Sequence, residues 1–149
     1  MSVTRYVERG AAPLVRRLMG FHAIAYRTTN GLVGHRLPGL PRMLLLDHEG
    51  ARTGKRRTSP LVYLEDGDDI VIVASKGGAP RNPAWFHNLR ANPETTIQVG
   101  SEKRAVRARV ASAQERRRLW PKVVETYGGY AEYQARTERE IPLVVLEPR

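Results

Sequence analysis

Residues 57–74 read RTSPLVYLEDGDDIVIVA, and this stretch decides how the chain folds. Residues 57–64 and 70–74 are short segments rich in the β-branched and apolar side chains that strands favour. Asp66-Gly67 lies between them, and an Asp-Gly pair flanked by such runs is a strong signal for a tight hairpin turn. The stretch therefore predicts two neighbouring antiparallel strands.

Further strands are predicted on both sides of this hairpin, at residues 43–47, 95–99, 103–110 and 141–147. Along residues 103–110, apolar side chains such as Val106 and Ala108 alternate with charged ones, which indicates one buried and one exposed face. The connections are mostly short, whereas parallel strands would need long crossovers. We therefore predict a mainly β fold with a few helices, a closed or partly closed barrel of about six antiparallel strands.

Two helices are predicted between the strands. Asn82-Pro83 is a start signal, with Asn82 as the N-cap and Pro83 at the first helical position of a helix ending at Ala91. Ser112 and Glu115 have the spacing of a capping box at the start of a second helix.

Residues 1–41 differ from the rest of the chain because they are rich in arginine and have a single acid, Glu8. Their apolar positions fall near helical spacing and are followed by glycines and prolines. We therefore divide the chain into an N-terminal basic amphipathic helix and loop, residues 1–41, and a barrel domain, residues 42–149.

The composition limits the possible classes of function. The chain has 149 residues, which fits one hydrophobic core, and a net charge of +10, which attracts phosphates, polyanions or an anionic membrane surface. It has no cysteine, so disulfides, thiolate metal sites and cysteine catalysis are excluded. The four histidines have no metal-ligand spacing, and we interpret them as surface or core residues. We therefore expect no bound metal. No signal peptide or membrane-spanning segment is recognisable, so we expect a cytoplasmic protein.

Two basic, glycine-rich turns are candidate sites for an anionic ligand. Residues 50–57 (GARTGKRR) hold four basic residues, two glycines and no acid. Glycines let backbone N–H groups converge on an anion, and Arg binds phosphate through two parallel hydrogen bonds. Residues 75–85 (SKGGAPRNPAW) lead from a strand into a helix N-terminus, whose unpaired N–H groups also suit an anion. Each could alone be an ordinary solvated loop, but the pair favours phosphate binding.

Tyr127, Tyr130 and Tyr133 are spaced by three residues and share one face if the segment is helical. Such a stripe usually packs in a core. Tyrosine hydroxyls also allow the three rings to wall a pocket for a flat aromatic molecule and to donate protons to it.

Several motifs occur together along residues 42–149: a GxxxG spacing from Gly50 to Gly54, VIVASKGG at residues 71–78, NPAWFHNLRANP at residues 82–93, the three tyrosines, and IPLVV at residues 141–145. In these motifs the chain resembles the deazaflavin-dependent nitroreductase family. Members of that family bind coenzyme F420, an 8-hydroxy-5-deazaflavin, in a flavin-reductase-like split β-barrel. The run from Ala74 to Pro93 is the most specific part of the resemblance.

The resemblance implies roles for individual residues. The cofactor phosphate and its acidic glutamyl tail would be held by Arg52, Thr53, Lys55 and Arg57. The cofactor would lie along Ser59, Pro60 and Leu61, and its ring would be bordered by Val73, Ala74, Ser75 and Lys76. The binding groove would be completed by Ala84, Trp85, Phe86, His87 and Asn88. The catalytic residues facing the acceptor would be Tyr130, Tyr133 and Ser75.

The implied reaction is hydride transfer from reduced coenzyme F420 to a quinone, with nitroaromatic compounds as adventitious acceptors. An FMN-binding barrel oxidoreductase and a non-catalytic F420 carrier are the alternatives. A nucleic-acid-binding module is disfavoured because the basic residues flank glycine turns and are not interleaved with exposed aromatics. Residues 1–35 either contact the inner face of the cell membrane, which would suit a lipid-soluble quinone, or cover the pocket. We expect a monomer or a dimer.

Overall fold

The computed structural model of the chain describes residues 41–149, which contain a closed barrel of antiparallel strands. In chain order the strands are β1 (Met43–Glu49), β2 (Arg56–Asp66), β3 (Asp69–Val73), β4 (Glu94–Val99), β5 (Glu102–Val110) and β6 (Leu143–Pro148). Around the barrel the order is β1-β2-β3-β6-β5-β4, and β4 pairs with β1 to close it. The predicted mainly β fold, a barrel of six antiparallel strands, is confirmed.

The hairpin predicted from residues 57–74 joins β2 to β3. The two strands pair from Tyr63 opposite Ile72 to Asp66 opposite Asp69, and Gly67 takes the positive φ, +62°, that the turn requires. On its other edge β2 pairs with β1 over the whole length of β1. The first basic turn is therefore the connection between β1 and β2, at one end of the barrel.

The barrel has one core inside and a second core against its outer wall. Ile70 and Ile72 of β3 point inward and pack with other inward residues such as Leu44 and Leu146. Val71 and Val73, on the opposite face, pack with Leu119, Val123, Ile141, Leu143 and Val145. Since alternate side chains of a strand point to opposite faces, β3 is apolar on both because each face meets a different core.

The helices are α1 (Ala84–Ala91), α2 (Ala113–Thr126) and α3 (Gly129–Ala135), and a 3-10 turn, Lys76–Gly78, precedes α1. The capping box predicted for α2 is confirmed: the Glu115 N–H donates to Ser112 Oγ at 3.2 Å, and the Ser112 N–H donates to a Glu115 carboxylate oxygen at 3.1 Å. Within the described residues, no helix has both the length and the apolar character needed to cross a membrane.

The predicted N-cap of α1 is wrong by one residue. Pro83 is the N-cap, and no side chain caps the helix. The Asn82 amide oxygen instead accepts a hydrogen bond of 2.7 Å from Arg139 Nη1. A charged donor binds an oxygen more strongly than a neutral backbone N–H does, so Arg139 takes the oxygen that would otherwise cap the helix.

The predicted N-terminal helix and loop, residues 1–41, lie outside the described residues except for Pro41. The predicted membrane contact of residues 1–35 lies wholly outside them.

Candidate active site

A cleft of about 540 Å³ lies between the β1–β2 turn and helix α1. It brings together residues that are far apart in the sequence and that were predicted to bind the cofactor: Arg52, Thr53, Arg57, Ala84, His87 and Asn88. Gly50 and Ala51 complete its lining. The volume is within the range of about 300–1,000 Å³ that is usual for small-molecule sites.

The β1–β2 turn is tight, and its geometry requires glycine at residue 54. The Gly54 N–H donates to the Gly50 carbonyl at 2.8 Å, and the Gly50 N–H donates to the Lys55 carbonyl at 2.9 Å, so the turn is tight. Gly54 has a φ of +67°, and a Cβ at Gly50 would lie 2.5 Å from Thr53 Oγ1. The backbone of the turn is therefore fixed, and its basic side chains project from it into solvent.

The basic residues of this turn have no acidic partner in the described part of the chain. Arg107, Arg109, Arg118 and Arg149 on other surfaces each pair with a carboxylate at 2.7–3.4 Å. No such pair involves the four basic residues of the turn and the start of β2, which are Arg52, Lys55, Arg56 and Arg57. Concentrated positive charge beside a cleft, without an ion-pair partner among residues 41–149, suits an anionic ligand.

Helix α1 adds to this positive field. Ala84, its first residue, lines the cleft, and no side chain among residues 41–149 caps the helix. The unpaired N–H groups and the helix dipole are therefore available to an anion there. The residues present thus fit a ligand with phosphate and carboxylate groups, such as coenzyme F420.

A buried hydrogen-bond network fixes the turn to α1. The Ala51 N–H donates to Asn88 Oδ1 at 2.9 Å, Asn88 Nδ2 donates to His48 Nδ1 at 2.9 Å, and His48 Nε2 lies 2.9 Å from Ser59 Oγ. Because the amide nitrogen of Asn88 can only donate, His48 Nδ1 must accept, so the proton is on Nε2 and is donated to Ser59. Burial, aided by the positive charge of Arg57, lowers the pKa of His48, which favours this neutral form.

His48 belongs to this network although the sequence-based predictions assign it no role at the site. It is 5% exposed and all its ring nitrogens are bonded, which agrees with the interpretation of the histidines as surface or core residues. Its partners Asn88 and Ser59 lie 40 and 11 residues away in the sequence. No local pattern joins them, so only the folded chain reveals that His48 supports the cleft.

Several predicted cofactor-binding residues lie in the cores and not in the cleft lining. Trp85 and Phe86 are 6% and 4% exposed and pack edge to face in the barrel interior. Pro60, Val73 and Ala74 are also buried, and Leu61 is half-buried against the inner core. Lys55 is exposed on the basic turn, next to the cleft but outside its lining.

The second basic turn packs against helix α3. Ser75 is 8% exposed at the end of β3, and Lys76 is exposed. A Cβ at Gly78, where φ is +80°, would lie 2.5 Å from the Tyr133 carbonyl oxygen. The absence of a side chain at Gly78 therefore lets α3 approach, and brings the predicted catalytic residues Ser75 and Tyr133 to neighbouring segments.

The three tyrosines form one cluster, with ring centroids 5.3–6.2 Å apart. Tyr127 ends α2, and the other two lie on α3. Tyr130 is 6% exposed, and burial raises the pKa of its hydroxyl. Tyr133 is half-buried, and its hydroxyl lies 3.5 Å from that of Tyr127, a contact that raises the pKa of Tyr133. Both hydroxyls therefore keep their protons at neutral pH and can donate hydrogen bonds.

A second polar cleft, of about 520 Å³, lies at the other end of α1. Of its three arginines, Arg107 and Arg149 are paired with Glu94, whereas Arg56 is not. Asp47 and Glu49 add two further negative charges, so the charges of the lining cancel. This cleft is therefore less suited to an anion than the one beside Arg52 and Arg57.

Residues 18–148 match the model of the family described as F420H(2)-dependent quinone reductase. An F420H(2)-dependent quinone reductase of Mycobacterium tuberculosis is 46% identical over 152 residues, which cover 100% of both chains. A solved structure described as a domain-swapped dimer is 33% identical, with a TM-score of 0.69, and covers 98% of this chain and 100% of its own.

Two further structures are similar. A structure of an F420-H2 dependent reductase is 40% identical, with a TM-score of 0.65, over 70% of this chain and 93% of its own. The heme storage protein of Vibrio cholerae shares the fold at 14% identity and a TM-score of 0.55, over 72% of this chain and 81% of its own. On the family match and the full-length identity, the chain belongs to the F420H(2)-dependent quinone reductase family.

Proposed function

We propose that this chain reduces a quinone with reduced coenzyme F420 and accepts nitroaromatic compounds as adventitious substrates. The observation that carries the proposal is the set of uncompensated cations beside the cleft, in a chain whose relatives are named for this reaction. The chain has no cysteine and no redox-active group of its own, so electrons must come from a bound cofactor. When bound, reduced F420 supplies a hydride from C5 of its ring.

In this proposal the β1–β2 turn binds the anionic part of the cofactor. Arg52 and Arg57 offer planar guanidinium groups that can each grip a phosphate or carboxylate with two hydrogen bonds. Lys55 adds a mobile charge, and Thr53 adds a hydroxyl. The network through Asn88 and His48 keeps this turn in place before the cofactor arrives, so little ordering accompanies binding.

The acceptor would lie against the second turn and the tyrosine cluster. Tyr133 is the more accessible of the two predicted catalytic tyrosines, since Tyr130 is almost fully buried. With its proton retained, the Tyr133 hydroxyl can donate to an acceptor oxygen as negative charge develops there. Ser75 would add a second donor from the end of β3. The buried ring of Tyr130 would hold Tyr133 in position.

The cation cluster can be tested without turnover. In the variant Arg52→Gln/Arg57→Gln the affinity for F420 should fall at least about a hundredfold, because each arginine loses at least one charge-assisted bond of about 1.5–3 kcal/mol. The control is Arg117→Gln, an exposed arginine on α2, which should bind F420 like the unchanged protein. Equal affinity of all three proteins would contradict the proposed phosphate site.

Two finer parts of the proposal concern assembly and location. We propose that the chain forms dimers, as the structure described as a domain-swapped dimer does, and sedimentation velocity should then show a species of about twice the monomer mass.

We also propose that the basic residues 1–35 attract the protein to anionic membranes. Flotation with anionic liposomes should weaken when residues 1–35 are removed, and unchanged flotation would contradict this part.

A further inference from the structure

Arg139, in the segment between α3 and β6, donates four hydrogen bonds to one stretch of the chain. Nε donates to the Ala79 carbonyl at 2.8 Å, and Nη2 donates to the Ser75 carbonyl at 2.7 Å. Nη1 donates to the Ala74 carbonyl at 3.2 Å and to Asn82 Oδ1 at 2.7 Å. All four acceptors lie between the end of β3 and the start of α1, the segment that joins the two halves of the proposed site.

These bonds determine where the neighbouring N–H groups point. In a trans peptide the C=O of one residue and the N–H of the next point in opposite directions. Because Arg139 holds the carbonyls of Ala74 and Ser75, the N–H groups of Ser75 and Lys76 are directed away from it. Outside the helices and strands of residues 41–149, no backbone hydrogen bond uses either N–H as a donor.

The backbone at this point has the conformation of an anion-binding turn. Ser75 is in the right-handed helical region, with φ −79° and ψ −42°, and Lys76 follows with φ +46°. Successive N–H groups in this right-handed to left-handed order form a concave pair of donors. A left-handed conformation is costly for lysine, which has a Cβ, so the turn needs an external hold, and Arg139 supplies it.

An ion pair does not explain the position of Arg139. It has no carboxylate partner among residues 41–149, and desolvation lowers the pKa of its guanidinium. The side chain is half-buried, and among residues 41–149 it donates only to neutral oxygens. Its cost of desolvation is therefore offset by hydrogen bonds to the segment from Ala74 to Asn82.

We propose that Arg139 is a positioning residue of the reductase, which holds the Ser75 and Lys76 N–H groups so that they bind an anionic or carbonyl oxygen of the reacting pair. This inference rests on the proposed function. The oxygen belongs either to the cofactor ring or to the quinone as it is reduced. The same two N–H groups would donate to the oxygen in both cases. The two cases differ in whether loss of the bond changes F420 affinity or the rate of quinone reduction.

The test compares Arg139→Lys with Arg116→Lys. Arg116 is a matched control because it is also partly buried and donates to the Ile141 carbonyl and to Gln134, but not to residues 74–82. Arg139→Lys cannot keep the four-bond fork. If the oxygen is on the cofactor, the F420 dissociation constant should rise about tenfold. If the oxygen is on the quinone, kcat/KM for menadione should fall about tenfold while F420 affinity is kept.

A second measurement uses the protein without cofactor. Hydrogen exchange at the Gly78 and Ala79 amides, which close the 3-10 turn through bonds of 2.9 and 3.1 Å, should accelerate in Arg139→Lys and not in Arg116→Lys. Asn82→Ala removes one of the four acceptors. It should change amide exchange, and F420 affinity or kcat/KM, in the same direction as Arg139→Lys but by a smaller amount. Unchanged exchange, F420 affinity and kcat/KM in Arg139→Lys, or equal changes in Arg116→Lys, would overturn the inference. If the unchanged protein does not oxidise reduced F420, the proposed function fails, while the exchange result still decides whether Arg139 holds the turn.

Discussion

Replacing Asn88 with alanine should weaken F420 binding, although the side chain need not touch the cofactor. Asn88 is 7% exposed, and its amide is used by the Ala51 N–H and by His48 Nδ1. In Asn88→Ala the Ala51 N–H becomes hydrated, because Ala51 is exposed, whereas the buried His48 Nδ1 loses the hydrogen bond that Asn88 donates to it. An unpaired buried group costs about 1–3 kcal/mol, which is the expected loss of unfolding free energy.

The loss of affinity comes from the freed turn. Without its tether the β1–β2 turn is ordered only when the cofactor binds, at a cost of about 1–2 kcal/mol for each residue concerned. For one residue this corresponds to a dissociation constant raised about five- to thirtyfold. The assay is titration of the purified variant with F420, alongside urea unfolding. Asn92→Ala, at the exposed C-terminal end of the same helix, is the control. A folded Asn88→Ala protein with unchanged F420 affinity would show that the Asn88 side chain does not hold the β1–β2 turn for the cofactor.

The variant Asn88→Asp tests the tautomer of His48. In the unchanged protein the pKa of His48 lies below its ordinary value of 6.5, so the unfolded chain binds more protons than the folded one near that pH. The contribution of neutral His48 to the free energy of unfolding is complete above pH 6.5, and it is lost as the pH falls through the folded-state pKa. A carboxylate at residue 88 would instead favour protonated His48 and raise its pKa. NMR titration of the His48 ring should show this reversal, and a pKa that stays below 6.5 would contradict the assigned network.

Three further predictions concern other parts of the structure. Tyr133→Phe should lower kcat for menadione about ten- to a hundredfold and leave F420 affinity nearly unchanged, and a large loss of F420 binding would contradict the catalytic role. Gly78→Ala should lower the melting temperature and the turnover together, because its Cβ would lie 2.5 Å from the Tyr133 carbonyl oxygen; wild-type values for both would show that α3 can move away. The bonds from Arg109 and Ser112 lower the pKa of Glu115 to about 2, so their stabilising effect is complete above pH 4.5 and is lost as the pH falls toward 2. Acid unfolding of Glu115→Gln should therefore depend less on pH over this interval than that of the unchanged protein.

The barrel could be predicted from the sequence because its signals are local. The Asp66-Gly67 turn and the apolar runs beside it determine one hairpin, and the alternation along β5 shows which of its faces is buried. The capping box at Ser112 lies within a single helical turn. The order of strands around the barrel has no such local signal, since β6 inserts between β3 and β5.

The site was predictable only in part. Two of its features, the uncompensated basic turn and the tyrosine spacing, are visible in short stretches of sequence. The bonds of His48 to Asn88 and of Arg139 to Asn82 join residues 40 and 57 positions apart. The second of these also explains the incorrect N-cap, because a distant arginine takes the oxygen that a local rule assigns to the helix.

The proposed function is tested first by titration of the purified protein with coenzyme F420, followed by absorbance measurements of reduced F420 with menadione present. We predict saturable F420 binding that weakens with salt, and oxidation of reduced F420 that depends on both protein and menadione. Binding without oxidation would contradict the reductase function and favour a cofactor carrier. No binding of F420, with binding of FMN instead, would contradict the assignment of the cleft to a deazaflavin.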